Sequence, residues 1–180
     1  MLHVLGKLPR ELVVAVSGGP DSMAILDFLS NNHKVTAYYF DHGTHFGKES
    51  YSFLRDYCAR KDIPFVASVL SAEKPKGKSL EEHWRDERYE KFHDYNLPIV
   101  TGHNLDDVIE CKIIPYRNKN VIRPFLTTPK KSLLDWCQRK KVPFLTDPGN
   151  DDKKFMRSII RHDMMPHAQM VNPGIQKTFK

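Results

Sequence analysis

The 180-residue chain is poor in groups that cross-link a fold or anchor it to a membrane. Its three cysteines, Cys58, Cys111 and Cys137, are odd in number and form no C-x-x-C pair, so they offer neither a disulfide framework nor a zinc or iron–sulfur spacing. Each reads as a buried or half-buried thiol. No apolar run approaches the roughly 18 residues needed to cross a bilayer. The opening MLHVLGKLPRELVVAV lacks the small-residue cleavage site of a secretory signal. A soluble, cytoplasmic protein with no membrane partner is the expectation. There is no G-x-G-x-x-G turn and no Lys-Ser or Lys-Thr directly after a Gly-rich loop, so dinucleotide-binding and P-loop readings fall away. No internal repeat is found, and nothing in the sequence fixes the oligomeric state.

What is present suits one compact core: 40% of residues are hydrophobic and 28% charged. The net charge of +6 is unevenly spread. Residues 1–110 hold 13 Lys and Arg against 17 Asp and Glu, whereas residues 111–161 hold 13 against 4. Such a basic stretch reads either as a docking surface for a polyanion or as a solvated face.

Hydrophobic patterning alternates between strand and helix. Leu12–Val16 is a short apolar strand, followed by a tight turn and a helix carrying Met23, Ala24, Ile25, Leu26, Phe28 and Leu29. Val35–Phe40 reads as a second strand, about Lys48–Lys61 as a helix stopped by Pro64, and Phe65–Leu70 as a third strand. Ser79, with Glu82 three residues on, predicts a capping box opening a helix to about Tyr95. Pro98–Gly102 is a fourth strand. Farther on, helices are expected at Lys130–Lys141 and from about Asp152 to Met165, the latter ended by Pro166. This order predicts an α/β fold, a parallel sheet with helices on both faces, whose ligands sit at the strand carboxyl ends near the topological switch point. The expected organisation is a domain over 1–126 and a basic helical extension over 127–180 packed on the same core.

The sharpest local signal is Ser17-Gly18-Gly19-Pro20-Asp21-Ser22 between a buried strand and a helix. Two glycines let several N–H groups point inward, and the helix adds its positive end, which together make an anion cradle. The S-G-G-x-D-S pattern resembles the PP-loop of ATP pyrophosphatases. That resemblance implies a Rossmann-like fold, and ATP cleaved to AMP and pyrophosphate.

Further motifs narrow the resemblance to the tRNA(Ile)-lysidine synthetases. Phe40-Asp41-His42-Gly43 looks like their D-H-G turn, and Glu82…Arg85…Arg88-Tyr89 like their R-x-x-R-Y helix. His103-Asn104-Leu105-Asp106-Asp107-Val108-Ile109-Glu110 is similar to H-x-x-D-D-x-x-E, and Arg123-Pro124-Phe125-Leu126 to R-P-L-L. Asp147-Pro148-x-Asn150 with Arg157, Arg161 and Pro166 resembles D-P-S-N…R-N-x-x-R…P. Independently of the family, three carboxylates at Asp106, Asp107 and Glu110 beside a phosphate cradle call for cations, either Mg²⁺ or a substrate ammonium. The other reading of these acids is a helix N-terminus charged to suit its dipole.

The resemblance implies a ligase that adenylates the wobble cytidine of an isoleucine tRNA with anticodon CAU, then attaches L-lysine. Ser17, Gly18, Gly19, Asp21, Ser22, Asp41 and His42 would bind ATP. Asp21 and Asp106 are metal candidates, and Arg88, Asp107 and Glu110 would take lysine. Asp21, Arg88, His103, Asp107 and Glu110 form the implied catalytic set. The basic stretch then supplies RNA contacts, with Lys112, Arg117, Arg123, Lys130, Lys131, Arg157 and Arg161 as candidates.

The chain departs from the family pattern in three places. Cys111–Asn120 is shorter than the family segment and has no glycine, and Ser158 stands where the family has Asn. The third is an expectation: a minimal form of the family, without the C-terminal tRNA-binding domains after Pro166. Base thiolation on tRNA, a PP-loop ligase acting on a small metabolite, and a silent RNA-binding module are the competing readings. The absence of C-x-x-C counts against the iron–sulfur thiolation enzymes.

Overall fold

The computed structural model describes residues 2–44, 46–70, 74–108, 121–146 and 159–175, without the side chains of Glu81, Arg161 and Gln169. Glu110, Lys112, Arg117 and Arg157, the Asp147–Asn150 turn and the start of the helix expected at Asp152 lie outside these residues.

Five parallel strands, β1 (Glu11–Val16), β2 (Lys34–Asp41), β3 (Phe65–Val69), β4 (Ile99–Val100) and β5 (Val121–Ile122), form one sheet in the order β3-β2-β1-β4-β5. The helices are α1 (Pro20–Ser30), α2 (Gly47–Arg60), α3 (Leu80–His93), α4 (Lys130–Lys140) and α5 (Met165–Val171), the last preceded by a π-helical turn at Ile160–Met164. Among the described residues no helix is long and apolar enough to cross a membrane.

Strand periodicity divides the core in two. Leu12, Val14 and Val16, with Val35, Ala37 and Tyr39, face one side, where Met23, Leu54, Tyr57, Leu133 and Cys137 from α1, α2 and α4 cover them. Val13, Tyr38, Phe40 and Ile99 face the other, against Tyr89 and Phe92 of α3. Helices thus lie on both faces. A buried carboxylate ties three of them together: Asp27 accepts from Tyr57 Oη (3.2 Å), Lys61 Nζ (3.2 Å) and Trp136 Nε1 (3.0 Å). Burial pushes the Cys58 and Cys137 thiols up to about 11, so both are inert packing groups.

At the sheet edge β3 leaves Val66 and Val69 37% and 61% exposed. Two expectations need correction. The fourth strand ends at Val100, two residues before Gly102, since the chain turns there into the acidic segment that follows. Pro166 does not end the final helix, which runs on through it to Val171. The π-helical turn makes this possible, with Met165 N–H bonding to Ile160 O rather than to the carbonyl four residues back.

Candidate functional site

β1 and β4 are neighbours, and the chain leaving β1 runs to β2 on one side while the chain leaving β4 runs to β5 on the other, which opens a crevice at their carboxyl ends. The glycine-rich loop rises from β1 and the acidic segment from β4 beside it. Gly18 has φ +85°, a left-handed conformation that favours glycine. Ser22 closes the loop on itself: its Oγ donates to Gly19 O (3.0 Å) and accepts from Ser17 N–H (3.2 Å), with Ser17 Oγ 3.4 Å away. Ser17 Oγ in turn accepts from Gly19 N–H at 3.4 Å. Helix α1 starts at Pro20 with no side chain capping it, so its positive end faces the loop. Gly102 lies against the other side, where a Cβ would meet Ser22 Cα at 3.6 Å. From farther along the chain, Leu145 N–H donates to Gly18 O at 2.9 Å.

The acidic segment is a tight turn. Asp107 Oδ2 accepts from Asn104 N–H (2.9 Å), and the buried Asn104 side chain accepts from Asp106 N–H (2.9 Å). Asp106 Oδ2 accepts from Lys130 N–H at 2.7 Å and thereby anchors the first residue of α4, whose own N-cap is a proline. Asp106 therefore serves a helix N-terminus, that of a helix 24 residues downstream. The Lys130 side chain turns to the loop, with Nζ 3.9 Å from Asp21 Oδ2. His103 is oriented by Thr101, Nδ1 to Oγ1 2.8 Å.

A second group gathers beyond β2. Register pairs Val16 with Tyr39, so the Asp41-His42-Gly43 turn projects past the end of β1 on the same edge of the sheet. Asp41 Oδ1 accepts from Gly43 N–H (2.8 Å), closing the turn with Gly43 at φ +71°. The same carboxylate fills the space beside Gly47, where any Cβ would come within 2.3 Å of Oδ1. His42 lies between Phe40 and Trp84, ring centroids 5.0 Å from each. Burial first, and the Arg88 guanidinium second, lower its pKa to about 3, so the imidazole is neutral. Among the described residues its buried Nδ1 has no hydrogen-bond partner. Arg88 lies 5.6 Å from the Tyr89 ring, and Arg123 Nη2 donates to Tyr89 Oη at 3.1 Å.

Of the expected residues, Ser17, Gly18, Gly19, Asp21 and Ser22 lie in the loop after β1, and His103, Asp106 and Asp107 in the turn after the adjacent β4, the two being linked through Lys130 and Gly102; Asp41, His42, Arg88 and Arg123 are on neighbouring elements. Lys131 is exposed on α4. Sequence reading missed Leu145, Gly102, Asn104, Trp84 and the direction of Lys130. Only Trp84, an aromatic four residues before Arg88 on a helix face, carried a visible signal. Among the described residues no three His, Cys, Asp or Glu side chains group to hold a metal by themselves.

A family model described as a PP-loop domain matches residues 3–117 and 111–168. The tRNA(Ile)-lysidine synthase of Francisella philomiragia is 29% identical over 98% of this chain and 50% of its own length. The Bifunctional protein TilS/HprT of Listeria monocytogenes is 28% identical over 99% of this chain and 32% of its own. The chain thus spans half or less of these relatives. Among solved structures, the NH3-dependent NAD synthetase of Campylobacter jejuni superposes with a TM-score of 0.59 at 13% identity, over 97% of this chain and 85% of that one, a likeness of fold.

Proposed function

This chain belongs to the PP-loop domain family, and on that footing we propose that it adenylates the wobble cytidine of a CAU-anticodon isoleucine tRNA and joins L-lysine to it. The observation that carries the reading is the closed glycine loop at the switch point with an acidic turn directly beside it. A loop without a lysine of its own, which grips the outer phosphates through N–H groups and a helix end, leaves the α-phosphate open to attack.

In the first step the carbonyl oxygen on carbon 2 of cytosine forms a bond to the α-phosphorus. The bond from that phosphorus to the β-bridging oxygen breaks, and pyrophosphate leaves with the electron pair. In the second step the lysine ε-amine forms a bond to carbon 2, and the carbon–oxygen bond breaks to release AMP. Ser17, Gly18, Gly19 and Ser22 hold phosphates, while Asp41 and His42 border the nucleotide. Neutral His42 offers hydrogen bonding without adding charge. Asp21 suits Mg²⁺, which takes one or two carboxylates together with substrate phosphates and neutralises charge on them; Asp106 has one oxygen committed to α4. His103 faces the base, and Arg88, Asp107 and Glu110 take the lysine substrate. The basic residues of 111–161 dock the anticodon arm, whose unpaired bases leave their stack cheaply. Residues 1–126 form the nucleotide-activating part, and 127–180 the basic extension.

Incorporation of radiolabelled lysine into a CAU-anticodon isoleucine tRNA transcript tests the proposal, with the methionine tRNA as control. Selective incorporation that is lost in Asp21→Ala is the expected result. RNA-dependent AMP release with no lysine attached would redirect the search to another amine or to sulfur.

A further inference from the structure

No basic residue lies between Ser17 and Ser22, yet the loop must hold a triphosphate and release pyrophosphate. Backbone N–H groups and the end of α1 carry only partial positive charge, and Asp21 adds a full negative one. Besides the Mg²⁺ that Asp21 suits, any positive side chain at the loop has to come from another part of the chain. Lys130 brings one, with Nζ 3.9 Å from Asp21 Oδ2.

Several independent contacts build this position. The Lys130 N–H is fixed by Asp106 at 2.7 Å. α4 is tied to α1 by Cys137 Sγ donating to Pro20 O (3.5 Å) and Trp136 Nε1 donating to Asp27 (3.0 Å). The backbone of Lys130 is thereby held against both the cradle and the acidic turn, while its flexible four-carbon stem lets the ammonium change partners.

We propose that Lys130 is a ligand for the outer phosphates of ATP. Asp21 holds the ammonium beside the loop, and with ATP bound the ammonium serves the β- and γ-phosphate oxygens and balances the charge of the departing pyrophosphate. This inference rests on the adenylation reading above. It assigns Lys130 to the nucleotide rather than to RNA, and leaves RNA contact to outward-facing residues of α4 such as Lys131.

The test is calorimetric binding of ATP and of AMP to the wild-type chain, Lys130→Met and Lys130→Arg, without RNA or lysine, alongside the affinity of each for a CAU-anticodon stem-loop. The methionine variant should bind ATP weaker by on the order of tenfold to a hundredfold, the usual effect of losing a charged hydrogen-bond donor. AMP, which lacks the outer phosphates, should bind all three equally. Arginine should restore ATP affinity to within about fivefold, and stem-loop affinity should not change. Equal loss of ATP and AMP would mean that Lys130 only supports the loop, and intact ATP binding with weakened stem-loop binding would make it an RNA contact; either overturns the proposal. Failure of lysine incorporation in the wild type would sink the lysidine reading alone, whereas failure of the wild type to bind ATP would sink both.

Discussion

Arg123 and Tyr89 meet through a 3.1 Å hydrogen bond from the guanidinium to the phenol. The contact joins the segment after β5 to α3, so two motifs 34 residues apart in the chain form one structural unit. The Tyr89 ring is buried beside Phe92, at a centroid distance of 5.4 Å, and only the hydroxyl reaches the arginine. Tyr89→Phe keeps the packing and removes the bond. It should lower stability by about 1 kcal/mol, read as a shifted urea midpoint with an unchanged slope. A midpoint equal to wild type would show that Arg123 finds another partner at no cost.

Asp27 makes a stronger demand. Its carboxylate serves Tyr57, Lys61 and Trp136, and Asp27→Ala would strand a buried phenol and an indole N–H. Lys61 is half exposed and recovers water, so the loss should be about 2–4 kcal/mol rather than that of a fully buried pair. Denaturant unfolding of Asp27→Ala and Asp27→Asn gives the value, with Asn the milder of the two. A loss under about 1 kcal/mol would contradict the view that this carboxylate ties α1, α2 and α4 together.

Gly47 is constrained by a side chain rather than by its backbone angles. A Cβ there would lie 2.3 Å from Asp41 Oδ1, so Gly47→Ala has to push that carboxylate out of its turn. A stability loss of about 1–3 kcal/mol is expected, with ATP affinity falling as the Asp41-His42-Gly43 turn shifts. Combining Gly47→Ala with Asp41→Ala, which opens the space, should recover part of the stability. Strictly additive losses would place the clash elsewhere.

The His42 environment sets a pH dependence. Burial and Arg88 lower its pKa to about 3, below the ordinary value of 6.5, so between these limits the unfolded chain binds a proton that the folded chain does not. Stability from this group is complete above pH 6.5 and declines as pH falls toward 3. Unfolding free energies at pH 7, 6 and 5 should decrease with a steeper slope in wild type than in His42→Gln, by up to one proton. Parallel slopes would mean that His42 is solvated in the folded state.

Much of this architecture is legible in the linear chain, for physical reasons that differ by element. β1, β2, α2 and α3 follow from apolar periodicity and from Ser79, which accepts a hydrogen bond from Glu82 N–H at 3.1 Å as its capping role requires. β5 escapes because Val121–Ile122 is a two-residue strand, too short for any period, and is specified by its pairing with Ile99 and Val100. The exposure of β3 escapes because Phe65-Val66-Ala67-Ser68-Val69 looks alike at an edge or in the middle of a sheet. In the site, Ser17 to Ser22 declares itself through glycine and small hydroxyls in fixed order. The alignment of Lys130 with Asp21 and of Leu145 with Gly18 does not, since each pair is made by the packing of α4 and the segment after it onto α1.

The bond from Leu145 N–H to Gly18 O has a consequence for biosynthesis. The glycine loop is synthesised before α4 and Leu145, so its rim is completed by a residue made after it. A nascent chain arrested before Leu145 emerges carries β1, α1 and every loop residue while lacking both this closure and, before α4 emerges, Lys130. The rim of the loop therefore closes only once α4 and Leu145 have been made and packed, so the cradle matures with the packing of α4 and not with its own local sequence.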